Sequence, residues 1–172
     1  MNGVRYAEGI HVFPLKAPAA TTADTESAWL NLENCQWVSF YVQWGDMAAG
    51  SSDTFNVAVK STTSTASGTT NANDYALPFD YRLSAAAGED NWGDKTAVTT
   101  ATGYVTVTGA QDNMALWIDV DPALIYSHDS DATFLYVDID ANAAAATDTN
   151  YAVAVTAFIE DRYPQVEHIS SS

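Results

Sequence analysis

The chain has 172 residues and a mass of 18.4 kDa, the size of one domain, with 47% hydrophobic and 12% aromatic residues. That content excludes a chain disordered along its whole length. Twenty-two acidic residues against six basic ones set a formal charge of −16 and a pI near 4.1, which argues against nucleic acid and anionic membrane as partners, since both need clustered Lys and Arg.

Residues 1–27 carry no sustained period. Pro14 and Pro18 forbid a regular helix and bias residues 11–15 toward extended backbone, so an extended N-terminal arm is expected over 1–27. Glu8 and His11 interrupt any apolar run that a signal peptide would need, and the chain is expected to be made in the cytoplasm. From Ala28 the texture changes to alternating apolar and polar residues rich in β-branched and aromatic side chains, the period-two signature of strands. Strands are expected over 28–33, 36–44, 53–61, 77–84, 96–100, 104–108, 114–120, 133–140 and 151–159. In the second, Val38, Phe40, Val42 and Trp44 share one face, and Trp37, Ser39, Tyr41 and Gln43 the other. Phe55, Val57 and Val59, then Phe79, Tyr81 and Leu83, then Leu116, Ile118 and Val120 repeat the scheme.

Turn signals such as Gly45-Asp46, Ser67-Gly68 and Asp148 to Asn150 separate these runs, and no stretch shows helical periodicity beyond a possible turn at 141–146. Short strands with no interleaved helices predict an all-β fold, an antiparallel β-sandwich that is jelly-roll-like. The expected organisation is an arm over 1–27, a sandwich over 28–160 and a C-terminal tail over 161–172. Two connections are long, 62–76 and 85–95, and the second carries Trp92 among Glu89, Asp90 and Asp94. An aromatic in such a loop packs either on the domain or on a partner.

Residues for catalysis are sparse. His11, His128 and His168 fall in the arm, a turn and the tail, and Cys35, the one cysteine, has no electropositive neighbour and reads as a small buried apolar residue. No Gly-x-Ser-x-Gly, phosphate-cradling glycine loop or His-Glu-x-x-His occurs, and no catalytic residue, cofactor or resident metal is expected. Three Asp-x-Asp pairs, Asp119/Asp121, Asp129/Asp131 and Asp138/Asp140, are the residues closest to a calcium signature. Phe134 and Ala143 stand where an EF-hand loop needs glycine, so an outward acidic face is the expected reading. Trp37, Tyr41, Trp92, Trp117 and Tyr136 would be the stacking surface of a carbohydrate-binding sandwich. The preferred reading is that Trp37 and Tyr41 are covered by a neighbouring subunit or an arm.

The segments FPLKAPAATTADTESAWLNLENCQWVSFYVQWG, DTFNVAVKS, YVTVTGAQDN, MALWIDVDPALIYS and YAVAVTAFIEDRYPQ, taken in order over residues 13–165, resemble small β-rich virion structural proteins of tailed phages. That group includes the head decoration, or cement, proteins. A higher acidity and the longer loop around Trp92 set this chain apart. The resemblance implies a protein without enzymatic activity that binds the major capsid protein on the outer surface of the head, as a homotrimer, and stabilises the lattice. It thereby implies a virion location on the capsid surface. His11, Val12, Phe13 and Leu15 of the arm, Trp92, and Tyr163 and Val166 of the tail are the candidate contact residues, laid across neighbours by strand addition. The alternatives are a tail or head-fibre component, or a calcium- or carbohydrate-binding β-sandwich module.

Overall fold

The computed structural model describes residues 10–21, 24–33, 35–47, 54–63, 75–99, 101–141 and 151–161. Twelve strands are described: β1 (His11–Thr21), β2 (Thr25–Glu26), β3 (Leu30–Asn31), β4 (Cys35–Trp44), β5 (Thr54–Thr62), β6 (Tyr75–Ala76), β7 (Phe79–Leu83), β8 (Thr96–Val98), β9 (Val105–Thr108), β10 (Ala115–Val120), β11 (Phe134–Ala141) and β12 (Tyr151–Asp161). One α-helix, α1 (Pro122–His128), lies between β10 and β11. No helix is long and apolar enough to cross a membrane among these residues.

The strands form two antiparallel sheets. Sheet A runs β1-β12-β4-β10-β7-β8; sheet B runs β2-β11-β5-β6, with β3 also on β11 and β9 also on β5. Setting aside β6 to β8, which lie between β5 and β9 in the chain, the order is β1-β12-β4-β10 in one sheet and β2/β3-β11-β5-β9 in the other. The first strands therefore run beside the last ones in both sheets, and the middle strands follow the same wrapping. This is jelly-roll connectivity, as the strand count suggested. The inserted β7 and β8 widen sheet A beyond β10.

Alternation sets the core. Val38, Phe40, Val42 and Trp44 of β4, Leu116, Ile118 and Val120 of β10, and Val153, Val155, Ala157 and Ile159 of β12 turn inward from sheet A and are buried. They meet Phe55, Val57 and Val59 of β5 with Leu135, Val137 and Ile139 of β11 from sheet B. The expected faces of β4, β5 and β10 are those observed. Where strands break, serine hydroxyls complete the pairing. Between β2 and β3, the Ser27 N–H donates to the Val137 carbonyl at 2.9 Å and the Ser27 hydroxyl accepts from the Val137 N–H at 3.0 Å. Ser84, just past β7, makes the same two bonds with Ala115.

The structure departs from the expectation in three places. Residues 11–21, expected as an arm with unpaired backbone, are β1 and pair along β12 from His11↔Ile159 to Thr21↔Tyr151. The extended backbone that Pro14 and Pro18 favour is present, but it is paired: register shifts between Pro14 and Lys16 and between Lys16 and Ala19 absorb the prolines on an edge strand. Strands β2 and β6, two residues each, were not expected. Helix α1 was missed although its start is written in the chain: the Asp121 side chain accepts from the Ala123 N–H at 2.8 Å and Pro122 opens the first turn. The possible helical turn at 141–146 lies outside the described residues except at its first position.

Candidate functional site

The outward faces of the two sheets differ in chemistry. On sheet B, Asp138 and Asp140 of β11 project outward with Glu26 paired opposite Asp138. Lys60 forms an ion pair with Asp138 at 2.5 Å. Burial and the neighbouring Asp24 carboxyl, reinforced by a side-chain hydrogen bond between the two and by Asp138, raise the pKa of Asp140 above its ordinary value. This is a crowded acidic face, the outcome expected of all three Asp pairs and met by this one; buried Asp129 departs from it. The other pairs are separately engaged. Asp119 accepts hydrogen bonds on sheet A, Asp121 caps α1, and buried Asp129 accepts from the Ser61 hydroxyl at 2.8 Å. Among the described residues no three His, Cys, Asp or Glu side chains are grouped to hold a metal ion.

On sheet A aromatic and polar side chains share the outward positions. Trp37, Ser39, Tyr41 and Gln43 of β4 lie beside Phe158 and Thr156 of β12 on one side and Asp119 and Trp117 of β10 on the other. The Asp119 carboxylate is the local hub. It accepts from the Ser39 hydroxyl at 2.6 Å and from the Trp117 indole N–H at 2.9 Å, while Ser39 accepts from the Trp37 indole N–H at 3.1 Å. Each indole is thus fixed by its polar edge, leaving the ring as apolar surface. Trp117 packs on Phe158 at 5.1 Å between centroids and tilts against Tyr41 at 6.3 Å.

The connection between β7 and β8 folds back over this face. The Gly93 N–H donates to the Leu83 carbonyl and the Ala85 N–H to the Asn91 carbonyl, both at 2.8 Å, and Ser84 bridges to Trp92. A side chain at Gly93 would put its Cβ 3.2 Å from the Leu83 carbonyl oxygen, so glycine permits that approach. Arg82 reaches the Gly93 carbonyl at 3.0 Å, and Lys95 pairs with Asp80 at 2.6 Å. The result sets Trp92 edge-on to both Tyr41 and Trp117, with centroids 6.2 Å apart in each case. Trp92 packs on its own domain and keeps 37% of its surface exposed. Between Trp92 and the end of β4 lies a cleft of about 290 Å³.

No family profile and no curated protein matches the chain. Among solved structures the chain is similar to the SPBc2 prophage-derived protein YomS, at 14% identity over 87% of this chain and 91% of that one, with a TM-score of 0.40.

The expected contact residues do not form one group. His11, Phe13 and Leu15 alternate to the inner side of β1: Leu15 is buried in the core, Phe13 packs against it, and His11 stacks on Phe13 at 6.4 Å. Leu15 is therefore a core residue and has no surface to offer a partner. Val12 points outward beside Phe158 and is half exposed, at 50%. Tyr163 and Val166 lie outside the described residues. Of the five aromatics assigned to a stacking surface, Tyr136 is buried on β11 and drops out, Trp37 remains 40% exposed, and Tyr41, Trp92 and Trp117 form one cluster. Phe158 is not singled out by the sequence, and Asp119 stands out there only as half of an Asp-x-Asp pair, not as a partner of the tryptophans. Their parts in the cluster follow from the pairing of β12 and β10 with β4, which no local pattern discloses.

Proposed function

We propose that this protein is a structural, non-catalytic component of a tailed-phage particle that binds the major capsid protein on the outside of the head as a homotrimer, in the manner of a decoration protein. The observation that supports this reading best is the contrast between the two outward faces. Sheet A carries an aromatic strip from Trp92 through Trp117 and Phe158 to Val12 and Trp37, with Arg82 and Lys95 at its side. Sheet B presents Glu26, Asp138 and Asp140 with Asp24 nearby. A body with an aromatic strip on one face and an acidic cluster on the other can seat the first on a protein lattice and turn the second to solvent, where like charge keeps particles apart.

Within the strip, Val12 and Trp37 are the most exposed apolar side chains, flanking Phe158, and they are the contact surface of this reading. The pairing of β1 shifts the contact from backbone addition by a free arm to side chains on a preformed face. Introducing charge there tests it. The double variant Val12→Asp, Trp37→Glu alters two exposed positions and is expected to fold normally. Co-sedimentation with purified heads that lack the protein should show binding weakened by ~30-fold or more, the loss of an aromatic anchor at an interface centre. Binding at the level of the unaltered protein would overturn this assignment of the face.

A further inference from the structure

We propose that the cleft walled by Tyr41 and Trp92 at the end of β4 is a binding site for a neutral saccharide of one or two rings. The inference goes beyond the particle-binding role and does not depend on it. Gln43 sits six residues along β4 from Trp37, about 20 Å at ~3.3 Å per residue, so the cleft and the Val12–Trp37 end of the face can be occupied separately.

A pyranose ring presents a face of C–H groups and an edge of hydroxyls, each hydroxyl both donor and acceptor. The complementary protein surface is an aromatic wall with carboxylates and amides along its rim. The cleft has both parts. Tyr41 and Trp92 meet at an interplanar angle of 79° and make an aromatic corner. Trp117 backs Trp92 and is itself held by Asp119, so the corner is rigid before any ligand arrives and little ordering remains to oppose binding. Glu89 and Asp90 supply acceptors, and Gln43 and Asn113 supply amides that both donate and accept. All four are exposed, and among the described residues no internal hydrogen bond or ion pair takes up their side chains.

The backbone beneath the rim is fixed as well. Asn113 holds φ at 54°, and its carbonyl accepts from the Gly88 N–H at 3.3 Å, which ties the loop carrying Glu89 and Asp90 to the turn before β10. The volume of about 290 Å³ falls just under the ~300 Å³ at which small-molecule sites begin, which limits the occupant to one or two rings. The chemistry of the rim selects among ligands of that size. Two carboxylates at the mouth, in a chain of charge −16, repel phosphate and carboxylate groups. Four polar side chains that would lose water without replacement disfavour a purely apolar occupant. A neutral, hydroxyl-rich ring satisfies both conditions.

The test uses the full chain in solution, away from any particle, so its failure is separable from failure of the capsid reading. Neutral mono- and disaccharides of glucose, galactose, mannose and N-acetylhexosamines are titrated while the indole N–H signals and the Gln43 and Asn113 side-chain amides are followed by NMR. At least one neutral sugar should shift the Trp92, Gln43 and Asn113 signals saturably, with a Kd of about 1 mM, the weak end of the affinity scale. Trp92→Ala should weaken it ~10-fold and Asp90→Asn several-fold, whereas Trp37→Ala should leave it unchanged. Both cleft substitutions fall on exposed loop side chains, and an otherwise unchanged spectrum reports that the fold is kept. No saturable shift with any neutral sugar of the panel, undiminished binding by Trp92→Ala, or tighter binding of sialyllactose than of lactose would overturn the proposal.

Discussion

Replacing Trp44 by alanine is expected to destabilise the protein by about 4 kcal/mol, the upper range for removing a large buried aromatic. Trp44 ends β4 on the inner side of sheet A and is 2% exposed. Its ring meets Phe55 of sheet B edge-on at 5.5 Å and 81°, so one side chain joins the two layers. Its indole N–H donates to the Gln111 carbonyl at 2.7 Å, securing the turn that leads into β10. Alanine empties that volume and leaves a carbonyl without its partner. Trp44→Phe separates the two effects, since it keeps most of the packing and loses only the hydrogen bond, for an expected cost of about 1–2 kcal/mol. Chemical denaturation should show a lowered midpoint with an unchanged slope for both variants. A loss under about 1 kcal/mol for Trp44→Ala would mean that the layers are not joined at this point.

Deleting residues 1–21 is expected to cost about 5 kcal/mol, a large part of the ~5–15 kcal/mol that holds a domain of this kind together. The deletion removes all of β1, with buried Leu15, half-buried Phe13 and the backbone ladder to β12. The Leu15 carbonyl also accepts from the Ala28 N–H at 2.9 Å, and Lys16 donates to Thr25 at 2.9 Å, so the start of β2 and the link from β2 to β3 each lose a tie. With β1 gone, β12 becomes a bare edge of eleven residues. An uncovered edge of that length recruits other chains, so size-exclusion chromatography should show aggregation alongside the lowered stability. Leu15→Ala, expected to cost about 3 kcal/mol, gives the packing contribution in a chain that stays paired. A truncated protein that remains monodisperse and melts with the full-length chain would restore the reading of this segment as an arm that the fold does not need.

These two expectations bear on what could be read from sequence. The faces of β4, β5 and β10 were legible because alternation is local: six residues suffice to say that Phe40 and Val42 point one way and Tyr41 the other. The jelly-roll class was legible from the number of such runs. The pairing partners were not, because β1 and β12 lie at opposite ends of the chain and their contact depends on the closure of everything between. For the same reason two prolines in residues 11–21 pointed to an arm, while the structure uses them on an edge strand whose irregular register accommodates them. Helix α1 was legible in its Asp-Pro start and was hidden by the absence of a repeat in only seven residues.

The candidate site divides along the same line. Trp92 is conspicuous in the sequence as an aromatic in a polar loop, and of its two expected fates the structure shows the packing on its own domain, with 37% of its surface left exposed. Gln43, Glu89, Asp90 and Asn113 carried no signal, since each is an ordinary surface residue until the loop of β7–β8 and the turn before β10 are brought to one end of β4. Cys35, read as a small buried apolar residue, is buried, with its thiol donating to the Asn31 carbonyl at 3.4 Å.

The most direct test of the proposed role is the abundance of this chain in purified phage particles from its source, by quantitative mass spectrometry against the major capsid protein. A copy number comparable to that of the capsid protein is the predicted result, as expected for a lattice-covering decoration protein. A few copies per particle, as for a tail or fibre component, or none at all, would contradict it.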